Sequence, residues 1–305
     1  MKNNNPKYAF YYLLSLVSLI FMTISLVLIV FQIIDKSIFD ALSTGNYFGD
    51  SQIRFGISAL IISAPIFFLM STFINKGLRK KDIDIDSSVR RWLTYFILFV
   101  SAVIILGSLV GMLNNFLSGE ITLRFILKVL FVVLLSALVF SFYLYDIKRS
   151  AIKNNDRVLK AFFLASLILV VIIFSASWFF VESPKTARER KIDNIVLNNI
   201  YSLENYINIY YEKNKELPDD LLDLRQATGV SFSDKMFNDP ETGEEIGYKK
   251  LGEKSFELCA NFRTDSYESR RNETYPIYYG DTSKVYVHGY NCFKGNLWTE
   301  DRLKD

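Results

Sequence analysis

The sequence predicts an all-α transmembrane bundle of five helices followed by a small α+β domain, a long helix packed on an antiparallel sheet. Three observations carry this expectation. Residues 1–183 are dominated by Leu, Ile, Val and Phe in long runs, whereas 184–305 are polar and charged. Lys and Arg gather in short blocks between the apolar runs, the pattern that membrane topology imposes. Beyond residue 184 the apolar spacing first follows a helix and then a strand.

A spanning helix needs roughly 20 mostly apolar residues. Five stretches meet this: Tyr8–Ile34, Phe55–Ile74, Trp92–Leu113, Phe125–Tyr145 and Ala161–Val181. The first has an apolar core longer than the ~7–15 residues of a cleavable signal, and no small-x-small site follows it. It is expected to stay as a signal anchor.

Basic residues near the span ends set the orientation. Lys2, Lys7, Lys76, Arg79, Lys80, Lys81, Arg90, Arg91, Lys148, Arg149, Lys153, Arg157 and Lys160 make 13 on one side. Lys36, Arg54, Arg124, Lys185, Arg188, Arg190 and Lys191 make 7 on the other. This predicts a multi-pass plasma (inner) membrane protein with a cytoplasmic N-terminus and an extracytoplasmic C-terminal domain. The group from Lys185 to Lys191 pulls the other way, but long domains translocate largely regardless of charge. The expected domains are 1–150, four spans; 151–183, a cytoplasmic linker and the fifth span; and 184–305, the outer α+β domain.

A formal net charge of +3 over 305 residues leaves no nucleic-acid footprint. The expected partner of the first half is the lipid bilayer. Span centres carry no ionisable residue, which disfavours a proton path. Lys128, one turn inside the fourth span, is expected to snorkel to the interface. Pro65 in SAPIFF marks a kink relieved by neighbouring helices, or a hinge. Gly107 and Gly111, in GSLVG, form a small-xxx-small face expected to pack helices closely.

The runs IRFGISALIISAPIFFL (Ile53–Leu69) and Val89–Arg149 carry three local patterns: RRWLTY (Arg90–Tyr95), NFLSGEITLRFILK (Asn115–Lys128) and YLYDIKR (Tyr143–Arg149). On these the chain resembles the bacterial membrane family known as domain of unknown function 5671, over about half its length. The resemblance implies the membrane topology and no activity.

In the polar half, Ile192, Ile195, Val196, Ile200, Leu203, Ile207 and Tyr210 form one stripe on a helix. Ser183 before Pro184 reads as its cap, and Pro218 as its stop. Asp219, Asp220 and Asp223 are expected to favour the positive end of a short helix rather than to form a catalytic set. NDPETG is a turn, EIGYKKL and SFELCANF form a hairpin across GEK, and SKVYVHGY is the third expected strand. The features YYEKNKELP (Tyr210–Pro218), DPETG (Asp239–Gly243), the Tyr248 strand and FELCA (Phe256–Ala260) resemble the outer domains of type II secretion pseudopilins and type IV pilins. That likeness implies a pilin-like shape and surface, pilus or secretion-system partners. No prepilin processing site precedes Ala161–Val181, so polymerisation as a pilin is not expected.

Cys259 and Cys292 are the two cysteines. Outside the cytoplasm they suit a disulfide closing a long loop; inside, they read as buried thiols. The absence of CxxC argues against a redox-active pair. His288 is the single histidine, too few for an ordinary zinc site or a nucleophile–histidine scheme. Asp234, Asp239, Glu241, Glu244 and Glu245 form an acidic loop, read as solvated turn carboxylates, with Ca²⁺ as the alternative that the pseudopilin resemblance implies. Asn272-Glu273-Thr274 fits a glycosylation sequon by pattern alone. Tyr267, Tyr275, Tyr278, Tyr279, Tyr286, Tyr290, Phe293 and Trp298 suit sheet packing, or a partner-binding aromatic surface.

No catalytic constellation and no cofactor site emerges, so a non-enzymatic protein is expected, displaying its outer domain for binding or scaffolding at the cell surface. A small-solute transporter or channel subunit, with the outer domain as a lid, is the alternative.

Overall fold

The computed structural model describes residues 6–38, 49–80, 87–119, 121–149, 156–224, 236–266 and 284–297. Six helices precede three strands: α1 (Pro6–Ser37), α2 (Gly49–Arg79), α3 (Ser88–Leu117), α4 (Leu123–Lys148), α5 (Arg157–Ser177), α6 (Pro184–Asn214), β1 (Gly247–Lys250), β2 (Ser255–Phe262) and β3 (Gly289–Asn296). The chain divides into two units, Met1–Val181 and Glu182–Asp305.

In the first unit, α1 to α5 are each long and apolar enough to cross a membrane. Local chemistry sets several of their ends. Thr122 accepts the Phe125 amide at the start of α4, and Asp156 accepts the amides of Val158 and Leu159 at the start of α5. The fifth helix ends at Ser177, four residues before the expected Val181, in turns that leave Trp178 and Phe179 exposed. α2 runs unbroken through Pro65, which supplies no N–H to the helix ladder.

The tightest packing joins α1 to α2. Leu19, Met22, Leu26 and Ile29 repeat at three- and four-residue steps and are buried with Leu60, Ala64 and Phe67. In a bilayer such helices gain little from hydrophobicity and depend on close van der Waals fit. Gly56 supplies that fit: a Cβ there would stand 2.9 Å from Ile29 Cγ1 and 3.3 Å from the Ser25 carbonyl oxygen. Gln32 Nε2 donates to Gln52 Oε1 at 2.8 Å across the same pair. Gly107 and Gly111 behave differently. No atom lies within 4 Å of the Cβ position at either, so the close packing expected there is not made among the described residues. In the second half of α3, Leu106, Leu109, Val110 and Leu113 are exposed.

In the second unit, α6 begins at Ser183, whose hydroxyl accepts the Thr186 amide, with Pro184 in the first turn. It ends at Asn214, because Lys215 turns left-handed (φ 62°), three residues before Pro218. Val196, Ile200, Leu203 and Ile207 are fully buried against Phe256, Leu258, Ala260 and Phe262 of β2, each such side chain contributing ~1.5–3 kcal/mol. Ile195, counted in the stripe by its spacing, is 47% exposed. Arg190 and Asp193 take the buried face in its place.

The sheet has the antiparallel order β1-β2-β3. The expected third strand at Ser283–Tyr290 is corrected to Gly289–Asn296. Residues 284–288 are irregular, although Ser266 donates its amide to the Tyr286 carbonyl at 2.9 Å. Pairing decides the shift: GYNCFKGN puts Cys292 opposite Cys259 and Phe293 opposite Leu258. It also puts Gly295 opposite Phe256, where a Cβ would fall 2.5 Å from the ring. Glycine is tolerated in this strand because the phenyl ring occupies the missing side chain's place.

Candidate functional site

Three arrangements of polar side chains stand out, two in the membrane unit and one in the polar unit. The first closes one end of the bundle. Arg90, in the first turn of α3, donates through Nη2 to Asp146 Oδ2 at 2.9 Å and to the Asp146 carbonyl at 2.7 Å. Arg149 Nη2 reaches Asp146 Oδ1 at 2.7 Å, and its Nη1 lies 3.6 Å from Asp156 Oδ2. The Tyr145 hydroxyl donates to both Asp156 oxygens at 3.0 Å. Burial pushes the Asp156 carboxyl up, but the Tyr145 hydroxyl, the Leu159 and Val158 amides and the Arg149 charge together hold it below its ordinary value. Two guanidinium groups balance two carboxylates, so the cluster ties α3, α4 and the start of α5 together with no net charge. Arg90 comes from RRWLTY and Asp146 and Arg149 from YLYDIKR, patterns separate in sequence that meet here.

The second arrangement is a cleft of about 660 Å³ between α1, α2, α4 and α5. Its body is apolar, lined by Leu26, Phe67, Leu135, Phe142, Phe163 and Val170. Its mouth holds Asn75, Lys76 and Arg79 from the end of α2 and Lys160 from the start of α5. No carboxylate lines it among the described residues. At the opposite end of the bundle, Lys128 pairs with Asp35 at 2.6 Å and lies 5.3 Å from the Phe31 ring centroid. Its ammonium is thus held by a neighbouring helix.

The third arrangement lies in the polar unit. Arg263, just past β2, forms two parallel bonds to Asp239 (Nη1–Oδ2 2.9 Å, Nη2–Oδ1 2.8 Å) and a third from Nε to Glu241 Oε2 at 3.0 Å. Asp239 also accepts the amides of Glu241 and Thr242, which shapes the DPETG turn. Burial acts to raise the Asp239 carboxyl, yet Arg263 and the two amides outweigh it and bring it to about 2. The Asp239 and Glu241 carboxylates in turn push the Arg263 guanidinium up, against the effect of burial. Fully buried Asp193 accepts Arg263 N, Thr264 N and Thr264 Oγ1 at 2.7–2.9 Å. Arg190 grips Glu182 through Nε and Nη2 and donates to the Asp265 carbonyl at 2.9 Å. Two carboxylates of the acidic loop therefore already hold a cation, the Arg263 guanidinium. Glu244 and Glu245 are exposed, and Asp234 lies outside the described residues.

His288 is exposed; its Nδ1 lies 3.0 Å from the Arg263 carbonyl, and its amide donates to Asp265 Oδ1 at 2.8 Å. Cys259 and Cys292 are joined by a disulfide between directly facing strand positions, Cα–Cα 4.0 Å, with the Cys292 side exposed. Asp223 accepts the amides of Asp219 and Asp220 at 3.0 Å, which makes that trio a local cap. Tyr286 stacks on Phe262 at 4.1 Å and Phe293 meets the same ring edge-on, whereas Tyr290 is exposed. Tyr267, Tyr275, Tyr278, Tyr279, Trp298 and the sequon at Asn272 lie outside the described residues.

Arg263, Arg190 and Asp193 escaped the sequence reading because their spacing shows no motif. The one available signal was Asp193 and Arg190 recurring on the buried phase of the α6 stripe.

Residues 9–143 match the model of a family described as Domain of unknown function (DUF5671). The match begins within α1 and ends at residue 143, so it takes in the first helix and the patterns RRWLTY and NFLSGEITLRFILK, and stops at the first residue of YLYDIKR. No curated protein and no solved structure matches the chain. The segment 9–143, most of the bundle, is thus similar to a family with no assigned activity.

Proposed function

We propose that the chain is a non-enzymatic, multi-pass membrane protein that displays a pilin-like domain outside the cytoplasm for binding or scaffolding, with surface, pilus or secretion-system proteins as partners. The observation that carries this is the Cys259–Cys292 bond within the polar unit. Disulfides persist in oxidising compartments, and an odd number of spans delivers the unit there from a cytoplasmic N-terminus. The charged groups of the unit support a scaffold over a catalyst: Asp193, Asp239, Glu241, Arg190 and Arg263 are all engaged with one another or with backbone. Thiol labelling tests the reading. After mild reduction of intact cells, a membrane-impermeant maleimide should modify Cys292. Reaction of both cysteines only after permeabilisation would overturn it. Cross-linking through 184–305 should then capture a surface protein or glycan.

The cleft, apolar over most of its lining, favours a second reading, a transporter or channel subunit for a small apolar or neutral solute. Reconstituted flux that depends on the first four helices would displace the display role.

A further inference from the structure

We propose that the cleft between α2 and α5 is a binding site for an anionic membrane lipid, one acyl chain lying in the apolar body and the headgroup held by Lys76, Arg79 and Lys160. This does not rest on the display role of the polar unit.

The argument starts from how the lining residues are distributed. α2 ends, and α5 begins, at the same bilayer face, so Lys76, Arg79 and Lys160 gather at one mouth. Phe67 lies deeper on α2, about 18 Å from Arg79 at ~1.5 Å per residue. That depth is close to one leaflet of a ~30 Å hydrocarbon core. Beneath the cations the polar lining thins to Asn75, Thr72, Ser71 and Tyr143 and to Thr23 and Ser166, whose hydroxyls donate to their own helix carbonyls, among apolar Phe67, Leu135 and Val170. A charged end over a long apolar shaft matches an amphiphile and does not suit a small hydrophilic solute.

Charge selects the headgroup. None of the three cations has a carboxylate partner among the described residues, whereas Arg90 and Arg149 nearby are neutralised by Asp146 and Asp156. Ammonium and guanidinium groups gathered at an interface attract phosphate diesters of anionic lipids. Access follows from α5: Leu164 lines the cleft yet is 56% exposed, so the wall opens sideways to the bilayer. A volume of about 660 Å³ is within the usual ~300–1,000 Å³ range of ligand sites.

The test uses the full chain in phosphatidylcholine vesicles carrying a minor fraction of phosphatidylglycerol with a diazirine at mid-chain. After irradiation, mass spectrometry should place adducts on Phe67, Leu138, Phe142 or Phe163. Unlabelled phosphatidylglycerol should compete, and phosphatidylcholine or inorganic phosphate should not. The Lys76→Gln, Arg79→Gln, Lys160→Gln triple variant should lose roughly tenfold or more of cleft labelling, while adducts on the open face of α3 stay unchanged. Equal labelling by a phosphatidylcholine probe, competition by inorganic phosphate, or adducts confined to α3 would each overturn the proposal. The competition arm needs only the wild-type chain, so it decides the matter even if the variant fails to fold.

Discussion

Arg263 and Asp239 meet through two parallel hydrogen bonds of 2.9 and 2.8 Å, the fork of a guanidinium on a carboxylate, which fastens the end of β2 to the DPETG turn. A bidentate pair of this kind is stronger and more directional than a single contact.

Acid should therefore loosen the turn. Asp239 is held at about 2 in the folded protein, below the ~3.9 of an unfolded aspartate. A depressed carboxyl stabilises the fold fully above the unfolded value and loses that contribution as pH falls through the folded one. Protection of the Glu241 and Thr242 amides, taken relative to the intrinsic exchange rate at each pH, should fall between about pH 4 and 2. Asp239→Asn should already exchange fast at neutral pH and show a flatter acid response; an unchanged wild-type profile across that window would count against the pair's role.

Close helix contact belongs to Gly56 rather than to Gly107 or Gly111. Gly56→Leu should force α2 off Ile29 and Ser25, lowering the thermal midpoint in detergent by an amount equivalent to ~1–3 kcal/mol. Gly107→Leu and Gly111→Leu should leave that midpoint within about 0.5 kcal/mol, because among the described residues no neighbouring helix stands within 4 Å of the Cβ position at either.

Gly295→Ala should clash with the Phe256 ring, which it would approach to 2.5 Å, destabilising the polar unit by ~1–3 kcal/mol. Combining it with Phe256→Leu should cost less than the sum of the two changes, a coupling that a double-mutant cycle in urea would measure.

Loss of the Cys259–Cys292 bond frees a loop with a sequence separation of 33. Replacing both cysteines by Ser should cost the polar unit ~2–4 kcal/mol, read as an earlier urea transition of α6 and β2 amides with the membrane unit unaffected. Coincident loss of both units would mean that the bond acts beyond its own sheet.

Much of the architecture was legible in residue order. Twenty or more apolar residues in a row can satisfy their backbone only as a helix in lipid, so five spans follow from composition. Ser183-Pro184 marked the start of α6 and SFELCANF marked β2 by local chemistry alone. The third strand was misplaced because VYV has stronger strand propensity than GYNCFKGN, and propensity yields to partners. The cation clusters were illegible for a related reason. Arg190 and Asp193, one turn apart on α6, lie far in the chain from Asp239 and Arg263, and the two sets acquire meaning only as neighbours.

The sequence by itself determined which segments are long and apolar enough to cross a bilayer and where α6 begins, because hydrophobic length, capping and turn chemistry act over a few adjacent residues. Tertiary structure decided the rest. It chose Gly56 over Gly107 as the close-packing glycine, set Cys292 opposite Cys259, filled the acidic turn with Arg263 and left three cations over an apolar cleft. Each of those depends on distances between residues that the chain keeps apart, and only folding brings them within reach of one another.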